Sequence, residues 1–370
     1  GMNKRFALLM SDKNKRIGRK RWLIVLGLVV LIFILVSLVT TKLVYDAQFR
    51  RHDRPAETIH ANLRYIDIER DYPRSIVHFK SGKNTLQGYF YGDRSARALM
   101  VVAHGLGGGA DSYLSQIRHF VDSDFLVFAY DCTGSYDSEG SSTRGFPQSI
   151  LDLHAALAYL ESQPSLASLP RLLFGHSWGG YAVAAVLSYD HDIKAIVSVS
   201  GANSAMDIII EQAKQMMGIS AYIQYPFLWF YQRMLFGKAA SFDAVSAINT
   251  ANIPVLIIHG IEDELVPYDG SAIIAFKDEI SNPYVRYITA TREGRNGHNN
   301  LFRTDEAVTY VEQVNKEYRA LYDAYETQIP YEVKQRYYAS IDRFRIHALQ
   351  PSLMREIDAF LDSALVQPYP

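Results

Sequence analysis

Residues 172–180 constrain the fold more than any other stretch. Leu172, Leu173 and Phe174 run into Gly175, His176, Ser177, Trp178, Gly179 and Gly180, and a helix-like segment follows at once. An apolar run that ends in G-x-S-x-G reads as a strand delivering a serine into a turn so sharp that its backbone is strained. Small residues are needed two before and two after the serine because neighbouring backbone crowds the turn there, and Gly175 and Gly179 occupy those positions. The following helix would set its free N–H groups and positive dipole end beside Ser177, where a tetrahedral oxyanion could form. The same residues could also be a plain glycine-containing strand-to-helix turn, so the rest of the chain has to separate the two readings.

Around this stretch, solid apolar runs recur at 98–103, 125–130, 171–174, 193–199, 255–258 and 285–289. Uninterrupted runs of this kind mark strands buried on both faces of a parallel sheet. Before them, 75–80 and 86–91 alternate moderately around Ser81, Gly82, Lys83 and Asn84, which predicts a hairpin. Helical periodicity lies between most runs, notably at 112–121, 148–160 and 178–187. The alternation predicts an α/β fold with a doubly wound, mostly parallel sheet.

Three strand ends carry chemistry. The run 98–103 leads into His104 and the loop Gly105, Leu106, Gly107, Gly108, Gly109, Ala110. As G-x-G-x-x-A this loop could hold a nicotinamide dinucleotide, with Asp131 placed as the ribose-binding acid. As H-G-x-G-G it could supply one N–H of an oxyanion hole. The run 255–258 leads to Asp263, flanked by Glu262 and Glu264, and the run 285–289 leads to His298. Open α/β sheets place their sites at the carboxyl ends of strands. The order Ser177, Asp263, His298 is that of one such hydrolytic fold, and a dinucleotide fold gives no reason for it.

Together the H-G-x-G-G loop, the G-H-S-W-G turn, the G-x-x-D-x-x-V-P loop over 260–267 and the late Gly297-His298 resemble the α/β-hydrolase-fold serine hydrolases. The similarity is greatest to the esterase, lysophospholipase and serine aminopeptidase-like branch, and it covers residues 75–370. The resemblance implies that Ser177 is the nucleophile, His298 the general base and acid, and Asp263 the residue that orients His298. It also implies that the N–H groups of Leu106 and Trp178 bind the oxyanion. The loop 130–140 resembles the family's strand-end loop, although Asp137 stands where relatives often have glycine. No cofactor or metal is required by this chemistry. The lone cysteine, Cys132, rules out an intramolecular disulfide and a cysteine-based zinc site, and no elbow presents it as a second nucleophile. His104, His176 and His259 read as hydrogen-bonding loop or core residues, and His347 sits in an Arg-rich tail.

The front of the chain is of another kind. Gly1 before Met2 looks like a cloning remnant. Residues 1–21 carry eight basic residues against Asp12, and residues 22–41 then run for twenty positions without a charge. That is the length a helix needs to cross about 30 Å of hydrocarbon, and no cleavage-like site follows Thr41. The excess of Lys and Arg before the run places the N-terminus in the cytoplasm and the bulk of the chain outside the cell membrane. Residues 42–74 are expected to be a polar spacer. Of the formal net charge of −1, the first 21 residues contribute +7, which leaves −8 on the remainder and argues against a nucleic-acid partner.

Residues 202–252 are too long for a simple connection and are dense in large apolar side chains, among them Phe227, Trp229, Phe230 and Tyr231. They are expected to form a helical cap over the site, with Trp229 and Phe230 lining a pocket for a hydrophobic, lipid-like acyl group. Residues 303–370 are expected to be helical. The function this points to is hydrolysis of an ester, or of an amide or peptide bond, through an acyl-Ser177 intermediate. The alternatives are a nicotinamide-dependent dehydrogenase and a catalytically silent interaction protein on the same scaffold.

Overall fold

The computed structural model describes residues 2–367, with side chains over 15–367, so Lys4, Arg5 and Lys13 lie outside the described side chains. Among the described residues, eight strands form one sheet: β1 (Arg74–Ser81), β2 (Asn84–Tyr91), β3 (Ala98–Ala103), β4 (Phe125–Tyr130), β5 (Arg171–His176), β6 (Ala195–Val199), β7 (Val255–Gly260) and β8 (Val285–Ala290). Each falls within two residues of its expected position. The order across the sheet is β1-β2-β4-β3-β5-β6-β7-β8. β1, β2 and β4 pair antiparallel, with Ser81 opposite Asn84 closing the hairpin, and every pair from β4 onward is parallel.

The helices are α1 (Met2–Gln48), α2 (Leu114–Asp122), α3 (Gln148–Glu161), α4 (Trp178–Ala185), α5 (Ala205–Met217), α6 (Ala221–Phe236), α7 (Ala244–Ala251), α8 (Asp305–Ala324), α9 (Tyr331–Ala339), α10 (Arg343–Ile346) and α11 (Pro351–Val366). They cover both faces of the sheet, which is why its strands read as unbroken apolar runs. Along β3, Leu99, Val101 and Ala103 pack in one core with α3, α4 and α7, whereas Ala98, Met100 and Val102 pack in the opposite core with α2 and α11. β3 pairs with β4 on one side and β5 on the other, so the chain changes winding direction between them. A crevice at the carboxyl ends of the strands results. The tail is helical and longer than one closing helix. α8, α9 and α10 build a small core of their own around Tyr310, Val314, Tyr337, Ile341 and Ile346.

The front of the chain departs from expectation. α1 is long and apolar enough, by length and composition, to cross a membrane, and its large apolar side chains from Trp22 to Val36 are exposed. It does not stop at Thr41 but continues to Gln48. Ser37, Thr41 and Tyr45 are buried at four-residue spacing, so one face of the helix is docked. That face meets α6, where Phe33 and Phe227 pack edge to face at 5.9 Å between ring centroids and the Tyr45 hydroxyl reaches Gln232 Oε1 at 3.1 Å.

Residues 42–74 are not a free spacer. Phe49, Leu63 and Ile68 are buried, and Arg51 donates to the carbonyls of Ser138 and Gly140 at 2.9 Å each and of Tyr136 at 2.5 Å. The polar composition that suggests a spacer is spent on hydrogen bonds to the loop after β4. Ile68→Ala therefore should cost about 2–5 kcal/mol of stability, as a buried large-to-small change does. Denaturant unfolding of the full chain checks this, and a loss near zero would return the segment to a spacer.

Candidate active site

Every residue of β5 is buried, and Ser177 follows it with φ 59° and ψ −116°. A non-glycine residue there is strained by about 1–3 kcal/mol. The two flanking glycines explain how the strain is held. A Cβ at Gly175 would lie 2.1 Å from the Gly179 carbonyl oxygen, and one at Gly179 would lie 2.0 Å from that of Ala103. Backbone meets backbone at both places, so neither clash can be relieved by a side chain moving. The Ser177 N–H is tied to the Val199 carbonyl at 2.8 Å, and the Ser177 carbonyl accepts from Tyr181 at 3.0 Å as α4 begins. Gly179→Ala should therefore abolish folding rather than merely slow turnover. A cooperative thermal transition retained within a few degrees of the parent would contradict the contact.

The chemistry-bearing residues meet at this turn. His298 Nε2 lies 2.7 Å from Ser177 Oγ, and His298 Nδ1 lies 2.9 and 2.8 Å from the two oxygens of Asp263. Asp263 Oδ1 also accepts from the N–H groups of Leu265 at 2.9 Å and Val266 at 2.8 Å, and His259 Nε2 stands 3.2 Å from Oδ2. Burial alone would raise this carboxyl. The hydrogen bonds from His259 and His298, the His298 charge and the Val266 N–H more than offset it and hold the group well below the ordinary carboxylate range. Asp263 is thus an anion throughout neutral conditions, and with its bonds to Nδ1 it fixes the His298 tautomer that leaves Nε2 facing Ser177 as acceptor. Glu264 holds the loop from the other side, accepting the His298 N–H at 3.1 Å. The sequence sets Glu264 apart only as a flank of Asp263, and gives no sign of this contact.

Behind the serine a second set of bonds joins three loops. Burial pushes the His176 imidazole down to about 3, so the ring is neutral. Its Nε2 donates to the His298 carbonyl at 2.9 Å, and its Nδ1 lies 2.8 Å from the Tyr113 hydroxyl, which accepts the Gly105 N–H at 3.1 Å. The glycine-rich loop, the serine turn and the histidine loop are therefore fixed to one another. A Cβ added at Gly105 would lie 3.5 Å from Ser177 Cβ, so this loop runs directly beside the serine and brings Leu106 to the site. Nothing in the sequence marks Tyr113 for this role.

The loop 105–110 does not fit a dinucleotide. It passes through a 3₁₀ turn (Ala110–Tyr113) before α2 begins. Asp131, the residue a ribose would need, is fully buried, bound to the Ala110 N–H at 2.8 Å and the Tyr89 hydroxyl at 2.9 Å, and pushed up to about 6 by that burial. Cys132 is buried as well, its N–H donating to His104 Nε2. His347 is half-buried near Arg303, Arg343 and His60, in a cleft it shares with Tyr113, His176 and Asn299. Among the described residues, no group of His, Cys, Asp and Glu side chains could hold a metal ion.

An apolar cavity of about 360 Å³ opens beside Leu106. Ile208, Ile209 and Ala213 of α5 and Leu228 of α6 line it, as do Phe146 and residues of α1. Trp229 and Phe230 do not line it. They are 49% and 51% exposed and lie on the outer face of α6, because a helix turned to put Leu228 inward carries the next two residues away from the cavity.

Comparison with known proteins gives a partial family match and a shared fold. The family model described as Serine aminopeptidase, S33 matches residues 94–235, which include the glycine-rich loop and Ser177 but neither Asp263 nor His298. The quorum-quenching protein AidA of Acinetobacter baumannii is 27% identical over 158 residues, 39% of this chain and 50% of that protein. A monoacylglycerol lipase of Mycolicibacterium smegmatis is 26% identical over 217 residues, 49% of this chain and 76% of the lipase. The chain thus spans half the length of the first of these relatives. A solved Pyrococcus furiosus esterase superposes with a TM-score of 0.51 at 18% identity, covering 74% of this chain and 95% of the esterase.

Proposed function

The chain is an α/β hydrolase, and on that premise we propose that it is a serine hydrolase that cleaves esters of hydrophobic acyl groups at Ser177. One observation carries the reading: the 2.7 Å contact between Ser177 Oγ and an imidazole whose other nitrogen is held by a buried, ionised Asp263. In the reaction Ser177 Oγ attacks the acyl carbonyl while His298 Nε2 takes its proton, and the Asp263 carboxylate stabilises the imidazolium that results. The oxyanion is received by the N–H groups of Leu106 and Trp178, the second at the amino end of α4. His298 then protonates the leaving alcohol. A water activated by the same imidazole hydrolyses the acyl-Ser177 ester and restores the site.

The apolar cavity beside Leu106 supports an acyl substrate, and its size falls within the range of small-molecule pockets. The relative described as a monoacylglycerol lipase points the same way. Amide or peptide hydrolysis is the second reading, favoured by the description of the matched family. α1 fits a single membrane span, with the basic N-terminus in the cytoplasm and the catalytic part outside.

A fluorophosphonate probe should label the full chain at Ser177, and p-nitrophenyl esters of graded chain length, run beside aminoacyl amides, should show preference for the longer acyl groups. Ser177→Ala and His298→Ala should each lower kcat by about 10⁴-fold or more, and the double variant should lose little beyond either, because triad members act as a unit. Additive losses would remove the triad assignment. Asp263→Asn should cripple turnover while Glu262→Gln should not, and the reverse result would move the acid by one residue.

A further inference from the structure

One wall of the cavity beside Leu106 is built by the N-terminal helix α1. Thr40, Thr41, Val44, Tyr45 and Gln48, all on α1, line it opposite α5 and α6. Thr40 and Thr41 are the last two residues of the uncharged run that fits a membrane span, so the helix that would anchor the protein is also one side of the cavity.

The other side of the cavity has the composition of a lipid-facing surface. From Lys214 to Arg233 no charged residue intervenes. At the turn between α5 and α6 and along the outer face of α6, Met216, Met217, Ile219, Ile223, Trp229 and Phe230 are all exposed. Met216 and Met217 also line the cavity, so the exposed apolar patch and the cavity are continuous. The patch has a fixed height relative to the apolar run, because Phe227 of α6 packs on Phe33 of α1. Phe33 lies eight residues before Thr41, about 12 Å along a helix. A bilayer that solvates α1 over its uncharged run must therefore reach the outer face of α6 as well. That is somewhat deeper than the roughly 5–10 Å to which interfacial helices sink. A patch of this kind left in water would be a liability, and in hydrocarbon it is at home.

Building on the Ser177 reading, we propose that the substrate is a membrane lipid ester whose acyl chain enters sideways from the bilayer, passing between α1 and the α5–α6 pair to reach Ser177. In this arrangement Thr41 and Val44 of the membrane helix select acyl length, and Trp229 and Phe230 sit in lipid instead of touching substrate. The inner end of the route is Leu106, whose neighbour Gly105 lies against Ser177.

The test uses the full chain in phospholipid vesicles and a long-chain alkyl fluorophosphonate bearing a diazirine at the end of its alkyl tail. Ser177 Oγ forms the O–P bond, fluoride leaves, and the hydroxyl proton passes to His298. Irradiation then inserts the tail into whatever lines its path. Cross-links from labelled Ser177 to residues 40–48 are expected. A labelled Ser177 whose tail cross-links only outside α1 overturns this inference and leaves the serine hydrolase reading standing. Failure to label Ser177 removes both. A second measurement needs no cross-link: Val44→Trp should reduce kcat/KM for a long-chain ester relative to acetate by about tenfold or more, as expected when about two methylenes lose their apolar contacts. An unchanged ratio would overturn the inference, and because both esters are measured on the same preparation, partial misfolding cancels.

Discussion

The strained backbone at Ser177 is the constraint on which the rest depends. A serine with φ 59° does not hold that conformation on its own, and the surroundings leave it no alternative. β5 lies between β3 and β6, with Ala103 opposite Gly175 and His176 opposite Val199. α4 starts so close above β3 that Gly179 touches the Ala103 carbonyl. The turn can therefore hold only while the central strands are in register. Their burial on both faces provides the free energy that offsets a strain of a few kcal/mol. The turn in turn raises Ser177 above the sheet at the carboxyl ends of the strands, where the loops after β3, β7 and β8 converge.

Convergence alone would not bring the His298 ring to the serine, and two different kinds of contact do so. Asp263 orients His298 electrostatically, as an anion shielded from water and supplied with backbone N–H donors. The neutral His176 ring orients the same loop without charge, tying the His298 carbonyl to Tyr113 and through it to Gly105. A charged imidazole at 176 would stand 5.0 Å from the His298 ring and oppose formation of its imidazolium. Burial keeps 176 neutral, so on the proposed mechanism it would position His298 without competing for the proton.

How much of this was legible in the sequence follows from the same physics. The strands were legible because apolar runs between helical patterns can be satisfied in few ways, and Ser177, Asp263 and His298 were legible because each follows such a run. Tyr113 was not, since its hydroxyl acts across a contact between residues distant in sequence. The docking of residues 42–74 was hidden for a related reason: arginines that bind carbonyls and arginines that face water are written alike. The orientation of α6 was the clearest failure. Its aromatics surround the helix almost completely, so aromatic density predicted a buried surface without saying which face was buried, and the face chosen was the outer one.

α1 differs from a tether in a way that bears on the whole molecule. A flexible linker after a membrane span would let the catalytic part sample every orientation to the bilayer, and each productive encounter would carry the entropy of finding one. Here the helix runs without a break from the uncharged segment to Gln48, and Tyr45 and Phe49 enter the same core as β3, α3 and α4. Ser37 and Thr41 are small enough to let α6 approach the helix closely, as small residues do where helices meet in membranes. If α1 spans a membrane, orientation is thereby fixed during folding rather than at each encounter. The same packing means that the anchor cannot be removed without exposing the Tyr45 side of the core, so in this chain the segment that would hold the protein at a membrane and the segment that completes its fold are one helix.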